Sequence, residues 1–434
     1  MGKRKPWLRV LFCFGVIIGA TWAFDARADI VADWQSATLK LILDRKWDGA
    51  RSQRAMAILD AAMFDAANAV KGHYAPYVYG GPGPSAASEA AAASQAAFRV
   101  LSELMPEKTS DLKVLNDGLL SNLGDPAARD AGIALGDGAA AAVLAVRSND
   151  GADFGSEYEP LAAAPGVYQP TSDAPMVTPK LSRMKPFALE AADQFQVPPP
   201  PPVDSLQFLH DLAEVRESGG AKTQTDKESI AIARFHASSG MIPWNKIALD
   251  SLRTCQLSLV EKTRALAMLN IAMSDALVAV FKAKYEYSFW RPMTVIRAGG
   301  AAFGHPELKP DAEWVSLLPV PMHPEYPCAH CANGGAAQTV LESIFGDGPL
   351  AFSVENEAGK ERHYRNFRHY AEDEAESRIL AGVHYRWSTI VGSALGRQIG
   401  SFVTKNIALP RAVDPRSTTL VSSEGATSRL FRCP

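Results

Sequence analysis

The sequence predicts an all-α protein that contains two related helical bundles. Apolar residues recur every three or four positions; within residues 54–70, Met56, Leu59 and Met63 fall on one helical face. Residues 264–280 then match this segment at ten of seventeen positions, about half a chain further on. Because alanine-rich helices match partly by composition, the shared Arg, Met-x-Asp-Ala and Ala-Val are the stronger signs of a repeat. No run of alternating residues indicates a large sheet.

The elements follow in order from the same periodicity. Residues 149–204 lack it and are rich in Pro, Ala and Gly, with five consecutive prolines at 198–202, which favours an extended connection. The predicted helices span residues 54–70, 86–102, 126–147, 205–216, 226–238, 245–253, 258–283, 333–345, 355–371, 374–381 and 384–404. The predicted organisation is a signal peptide at 1–28, an N-terminal bundle at 29–148, the connection at 149–204, a second bundle at 205–408 and a tail at 409–434.

The first residues form a targeting segment. A basic start at Lys3-Arg4-Lys5 precedes an apolar stretch from Leu8 to Ala20, and Ala26-Arg27-Ala28 fits a cleavage site. The apolar stretch is short for a membrane span, although an N-terminal anchor stays open as an alternative. We therefore expect a periplasmic or secreted protein, with no membrane association after cleavage.

Charge and cysteine content narrow the function. Cleavage would leave 39 basic and 46 acidic residues, a net charge of −7, which argues against a nucleic-acid partner. Four cysteines would remain, and they allow three pairings. Cys328 and Cys331 have CxxC spacing, but Ala332 excludes a haem attachment motif and no second CxxC suggests a structural zinc. In an exported protein we favour a disulfide between these two. The other two cysteines of the mature chain are Cys255 and Cys433.

Three distant segments of the second half carry the chemistry. Their cations, Lys284, Arg291 and Arg378, supply charge and forked donors that suit a tetrahedral oxyanion. Their histidines, His330 and His384, can bind an electrophilic centre or move protons. The first copy of the repeat lacks the Arg-Pro that follows the second, so we predict the site in the second bundle only.

The order and spacing of these segments resemble the superfamily of type 2 phosphatidic acid phosphatases and vanadium-dependent haloperoxidases. The family pattern is K-x6-R-P, then P-S-G-H, then S-R-x3-G-x-H-x3-D. The first part fits from Lys284 to Pro292, only Pro and His of the second fit, and the third fits from Ser377 to His384. Aromatic residues ending in Trp290 before Arg-Pro, and His-Pro-Glu-Tyr-Pro before the second motif, are similar to bacterial vanadium haloperoxidase-like proteins.

The resemblance implies a role for each residue. His384 would be the axial ligand of vanadium, or the nucleophile in the phosphatase branch, and His330 would act in acid–base catalysis. The groups implied to hold the oxygens of vanadate or phosphate are Lys284, Arg291, Cys328, the backbone N–H of Ala329, and Arg378.

Two departures from the pattern matter. Ser388 stands where the family has an Asp that can strengthen the histidine, so His384 should be less basic unless another carboxylate, such as Asp373 or Glu376, replaces it. Cys328 stands where the family has Ser; a thiol is a weak donor, and peroxide would oxidise it. Either Cys328 is in a disulfide or peroxide is not the natural substrate.

The resemblance thus implies an exported vanadium-dependent haloperoxidase-like enzyme with vanadate as cofactor. Its partners would be hydrogen peroxide, a halide and a small organic substrate, and a homodimer stays open. One alternative is an acid phosphatase with His384 as nucleophile, and another is a non-catalytic oxyanion-binding protein. Trp290 and Tyr287 either line the cleft or belong to the core.

Overall fold

The computed structural model describes residues 29–81, 83–238 and 240–411, and it confirms the all-α prediction. Thirteen α-helices occur in these ranges, joined by three short 3-10 turns. They are α1 Ile30–Arg45, α2 Gly49–Lys71, α3 Glu89–Leu104, α4 Thr109–Ser121, α5 Pro126–Arg147, α6 Leu206–Ser218, α7 Lys227–Phe235, α8 Met241–Thr254, α9 Leu259–Tyr287, α10 Pro292–Ala298, α11 Ala329–Phe345, α12 Phe367–Leu380 and α13 Arg386–Asn406. The predicted signal segment and most of the predicted tail lie outside the described residues.

One predicted helix is wrong. Instead of a helix over residues 355–371, an antiparallel hairpin pairs β1, Phe352–Glu355, with β2, Glu361–Tyr364, before α12 begins. The turn explains the error: the Asn356 side chain accepts from the N–H groups of Ala358 and Lys360, both at 3.0 Å, and Gly359 has a φ of 70°. This local turn chemistry outweighs the helix-favouring charged residues around it. Helices α1, α4 and α10 were not predicted.

The predicted repeat is visible as two equivalent sets of helices. The pair α1–α2 corresponds to α8–α9, and α2 packs directly against α9. At their contact Asn270 Nδ2 donates to Asp60 Oδ2 at 2.6 Å, and these residues are 210 positions apart, the spacing of the repeat. Equivalent polar side chains flank the pair on both sides, since Gln35 donates to Asp60 and Asn245 donates to Asn270. The two bundles therefore meet at an approximate twofold axis.

Close glycine packing repeats as well. On α5, Cβ atoms added at Gly132 and Gly136 would lie 2.5 Å from the carbonyl oxygens of Ser88 and Ala92. On α13, a Cβ atom added at Gly392 would lie 2.5 Å from the carbonyl oxygen of Cys328. Because no Cβ fits at these distances, glycine lets α3 approach α5 and α11 approach α13.

The two equivalent aspartates of the repeat anchor loops. The Asp65 carboxylate accepts from the backbone N–H groups of residues 77–79 at 2.7–2.8 Å. The Asp275 carboxylate accepts from residues 187–189 at 2.6–2.9 Å. Each bundle thus holds a neighbouring extended segment by three charge-assisted bonds, which fixes the long connection onto α9.

Helix α9 is the central element of the second bundle. It is long and apolar enough to cross a membrane, yet 94% of its most apolar window is buried inside the protein. A capping box of Ser258 and Glu261 begins it, and Ser288, with a φ of 43°, ends it. Lys284 lies in the last turn, so the helix places this cation among the loops that follow.

Candidate functional site

The three predicted segments come together in the second bundle. Arg291 is the N-cap residue of α10, Arg378 lies in the last turn of α12, and Lys284 lies in the last turn of α9; all three are buried. Gly382, with a φ of 78°, turns the chain after α12 so that His384 returns to the cations. Desolvation is the main cause that holds the pKa of the His384 imidazole well below its usual range. The charges of Arg291, Lys284 and Arg378 lower this pKa further.

Lys284 is held by the backbone that precedes α11. Its Nζ donates to the carbonyl oxygens of Pro324 at 3.0 Å and Glu325 at 2.8 Å. An ammonium has three N–H groups, so these two bonds orient it and leave one donor. Burial, with the charges of Arg291 and Arg378, lowers the pKa of Lys284 well below its ordinary value.

Arg291 is fixed by carbonyl groups from both neighbouring loops. Its Nη1 donates to Val383 O at 2.8 Å, and its Nη2 donates to His323 O at 2.8 Å and to His323 Nδ1 at 3.0 Å. His323 Nδ1 also lies 2.9 Å from the carbonyl oxygen of Pro324. The same Nη1 lies 3.4 Å from His384 Nε2. Arg291 therefore links the loop before α11 to the segment that carries His384.

Arg378 is the least satisfied of the three cations. Its Nη1 donates to the carbonyl oxygen of His236 at 3.2 Å, whereas its buried Nε has no hydrogen-bond partner among the described residues. Desolvation and the charge of Arg291 lower the pKa of Arg378 to about 10. A buried N–H donor without a partner is costly, and an oxyanion would satisfy it.

A carboxylate does reach His384, but it is Glu325. Oε1 of Glu325 lies 2.7 Å from His384 Nδ1, and both side chains are buried. The suggestion of Asp373 or Glu376 is wrong. Asp373 instead binds His236 at 3.0 Å, and Glu376 pairs with Arg386. The only sequence signal for Glu325 was its place in His-Pro-Glu-Tyr-Pro.

His330 lies in the first turn of α11 and is partly exposed. Its Nε2 is 3.0 Å from the carbonyl oxygen of Ser238, so Nε2 carries the hydrogen and Nδ1 the lone pair. Desolvation and the charge of Arg378 lower the pKa of His330 to about 3, which keeps the imidazole neutral.

Cys328 and Cys331 form a disulfide with a Cα–Cα distance of 5.3 Å, as predicted. Cys328 Sγ accepts from the backbone N–H of Cys331 at 3.2 Å and caps α11. A disulfide sulfur has no hydrogen, so the side chain of Cys328 cannot donate to an oxyanion as the implied role requires. The backbone of this turn remains, because the first N–H groups of a helix, including that of Ala329, lack intrahelical partners.

The aromatic residues before Arg-Pro belong to the core. Trp290 is buried and stacked on Phe208, with 6.2 Å between ring centroids. The Tyr287 hydroxyl donates to Val197 O at 2.6 Å. These residues therefore support the loop that carries Arg291, and their interpretation as a substrate-lining wall finds no support in these contacts.

Charge balance indicates what the site can hold. Among the described residues, the carboxylates whose charge reaches the three cations are Glu325 and Glu374. Burial raises the pKa of Glu325 to about 7 and that of Glu374 to about 8, so these two carboxylates do not fully neutralise the three cations. Buried cations in excess over carboxylates are stabilised by a bound anion, and the donor set fits a tetrahedral oxyanion.

A cavity of about 830 Å³ lies at the N-terminal ends of α1, α3 and α9. Ser88, Ala90, Gly124 and Lys262 are among the residues that line it, and no histidine does. That only the second bundle forms the oxyanion site stays a prediction.

Comparison with known proteins finds a related domain in the second half of the chain. Residues 264–410 match the family described as the VCPO second helical-bundle domain. No curated protein matches the chain.

Solved structures share the fold over most of the chain. A bacterial vanadium-dependent iodoperoxidase superposes with a TM-score of 0.75 at 23% identity, covering 89% of this chain and 98% of that one. A bacterial vanadium-dependent chloroperoxidase superposes in its apo form with a TM-score of 0.69 at 19% identity, covering 82% and 93% of the two chains. Its holo form gives 0.67 at 19% identity, covering 88% and 96%. The two-bundle architecture is therefore that of these proteins.

Proposed function

We propose that this chain, which has the vanadium haloperoxidase-like fold, is an exported vanadate-dependent peroxidase that oxidises halide with hydrogen peroxide. The observation that carries the proposal is the group of three buried cations around the accepting Nε2 of His384. Such a group is costly without an anion, and vanadate matches its shape and charge. Hypohalous acid, or a halogenated small organic molecule, would be the product.

The residues present fit vanadate. Lys284, Arg291 and Arg378 would hold its oxygens, with the backbone N–H of Ala329 at the start of α11, and His384 Nε2 would bind the vanadium. Bound vanadate supplies a Lewis acid that makes peroxide electrophilic toward halide, and vanadium keeps one oxidation state. The Arg378 Nε, which lacks a partner among the described residues, is the clearest donor awaiting an oxygen.

His330 is the residue we assign to proton transfer. Because its Nε2–H is committed to the Ser238 carbonyl, Nδ1 is the atom that can take a proton from hydrogen peroxide. Its lowered pKa ensures that Nδ1 is free to accept at neutral pH. A bound oxyanion would counter the repulsion from Arg378 and raise that pKa, so the proton could be held and later released.

The disulfide supports both the reaction and the location. With Cys328 and Cys331 joined, no thiol of this pair is left for peroxide to oxidise, which removes the objection to a peroxide substrate. Disulfides persist in oxidising compartments, which supports export to the periplasm or beyond.

An acid phosphatase is the second candidate, and one contact favours it. The Glu325–His384 hydrogen bond supplies the carboxylate that a nucleophilic histidine needs, so the absence of Asp at position 388 no longer argues against hydrolysis. In that reaction His384 would attack phosphorus and His330 would protonate the leaving alcohol.

One divided assay separates the candidates. Mature protein stripped of anions receives orthovanadate, peroxide and iodide, bromide or chloride in one half, and p-nitrophenyl phosphate without vanadate in the other. Vanadate-dependent halide oxidation that His384→Ala abolishes is the expected result. Phosphate release that vanadate inhibits would contradict the peroxidase proposal and support the acid phosphatase. Vanadate binding without either turnover would leave a non-catalytic oxyanion-binding protein.

A further inference from the structure

We propose that Glu325 is the positioning residue of His384: its charge, supplied from the loop before α11, fixes the tautomer and raises the basicity of the axial imidazole. This inference rests on the proposed vanadate site. In the family pattern, an Asp one helical turn after the histidine would orient and strengthen it. In this chain we assign that role to Glu325, a loop residue.

The hydrogen-bond directions lead to this assignment. Arg291 Nη1 can only donate, so His384 Nε2, 3.4 Å away, must present its lone pair. The hydrogen of a neutral imidazole then lies on Nδ1, which is 2.7 Å from Glu325 Oε1. This is the tautomer that an axial ligand or a nucleophile requires, and a carboxylate on Nδ1–H makes Nε2 a stronger base.

Glu325 is itself held at two points. Its Oε1 also accepts from the backbone N–H of Tyr385 at 3.1 Å, and its carbonyl oxygen accepts from Lys284 Nζ at 2.8 Å. One residue therefore joins the axial histidine to a cation of the cage. A side chain fixed in this way can orient His384 without touching the bound anion.

The residue at position 388 is a serine and not a carboxylate. Ser388 is fully buried, and neither its Oγ nor Glu325 Oε2 has a hydrogen-bond partner among the described residues. An aspartate at position 388 would place a second buried carboxylate beside the first, and two such charges repel strongly. With Ser388 at this position, Glu325 is the carboxylate that reaches His384 among the described residues.

The charge of Glu325 gives the inference a test that separates two effects. Removing a negative charge from a cationic cage should strengthen simple electrostatic binding of any oxyanion. It should also weaken the bond between Nε2 and vanadium, because the imidazole becomes less basic. Vanadate needs that bond and inorganic phosphate does not, so the two anions should respond in opposite directions.

Glu325→Gln is the suitable variant. The amide oxygen can keep the bonds to Tyr385 N–H and His384 Nδ1–H, so the charge changes and the geometry is preserved. Glu376→Gln is the matched control, since this carboxylate pairs with Arg386 instead. Binding of orthovanadate and of inorganic phosphate is measured by calorimetry on the full mature protein, with ¹⁵N spectra of labelled histidine in anion-free protein.

We expect Glu325→Gln to weaken vanadate binding about tenfold to 100-fold, the range for lost partners of metal ligands. Phosphate binding should stay unchanged or tighten, and Glu376→Gln should alter neither. The wild-type ¹⁵N spectrum should show His384 protonated on Nδ1. If both anions bind more tightly, Glu325 is only a counter-charge, and if both bind more weakly it is only structural. An Nε2–H tautomer in the wild type would also overturn the inference. None of these results requires turnover, so they stand apart from a failure of the peroxidase assay.

Discussion

Replacing Arg378 with methionine should stabilise the anion-free protein while destroying its response to anions. Desolvation and the charge of Arg291 lower the pKa of the Arg378 guanidinium by more than two units, to about 10. Each pKa unit corresponds to about 1.4 kcal/mol, so the charged form costs about 3 kcal/mol in the folded state. The ordinary and the lowered pKa both lie above neutral pH, and the whole penalty is therefore present at pH 7.

The loss of one hydrogen bond offsets part of this gain. Methionine cannot donate to the His236 carbonyl oxygen, which costs about 1–2 kcal/mol. The net expectation is a gain of about 1–2 kcal/mol, equivalent to a rise in Tm of about 2 °C for a chain of this size.

The stabilisation of the protein by bound phosphate should decrease in Arg378→Met, although its Tm without phosphate should increase. Phosphate at 100 times its Kd stabilises the wild type by about 2.7 kcal/mol, or about 3 °C. One unit charge near an oxyanion contributes about 4 kcal/mol at the dielectric of a protein surface, so Arg378→Met should show no such rise at the same concentration.

Thermal melts with and without phosphate measure both effects. Arg386→Met is the control, because Arg386 is paired with the carboxylates of Glu214 and Glu376. That variant should melt at a lower temperature and keep the full phosphate response. The reasoning is refuted if Arg378→Met melts below the wild type without phosphate and still gains 3 °C with it.

Three further predictions concern other parts of the structure. His330→Ala should lower kcat for halide oxidation about 10²–10⁴-fold and leave vanadate affinity nearly unchanged in calorimetry; a comparable loss of affinity would make His330 a ligand rather than a proton carrier. Cys328→Ser with Cys331→Ala should cost about 2 kcal/mol in urea unfolding, from the short loop that the disulfide closes, yet tighten vanadate binding through the new hydroxyl donor. Weaker vanadate binding would show that the disulfide, not a donor, shapes this turn. Asp65→Asn and Asp275→Asn should each cost about 2 kcal/mol, because an amide turns an NH₂ group toward backbone N–H donors; an unchanged urea midpoint would deny their anchoring role.

Periodicity was sufficient for most of the helices. It failed for α1, where the buried face includes Gln35 and Thr38 and the apolar pattern is weak. It also missed the helices α4 and α10. It also failed at the hairpin, where Asn356 and Gly359 set the turn. The helix propensity of the surrounding charged residues gave no sign of this turn. The turn depends on the hydrogen bonds of the Asn356 side chain and on the positive φ of Gly359.

The candidate site was predictable where its residues belong to linked motifs that resemble a known superfamily. The cations and histidines were identified because their spacing forms a linked pattern, and the structure brings them together. Glu325 was not, because a loop carboxylate acquires its role only when the chain folds back onto His384. Residue type left two possibilities for Trp290, a cleft wall or the core, and its stacking on Phe208 places it in the core. The predicted domain boundaries and export remain predictions.

The contact between Asp60 and Asn270 records something about the origin of the two bundles. Both residues occupy the same position of the repeat and face each other across the approximate twofold axis. In a dimer of two identical, unfused chains the same residue would have to face itself there. Two aspartates would repel unless they shared a proton, and two asparagines would have no charge to pair. Joining the copies in one polypeptide allowed the two halves to diverge at their common centre, so that a donor in one now meets an acceptor in the other. The same freedom allows the cluster of Lys284, Arg291, Arg378, His330 and His384 to occur in the second half only.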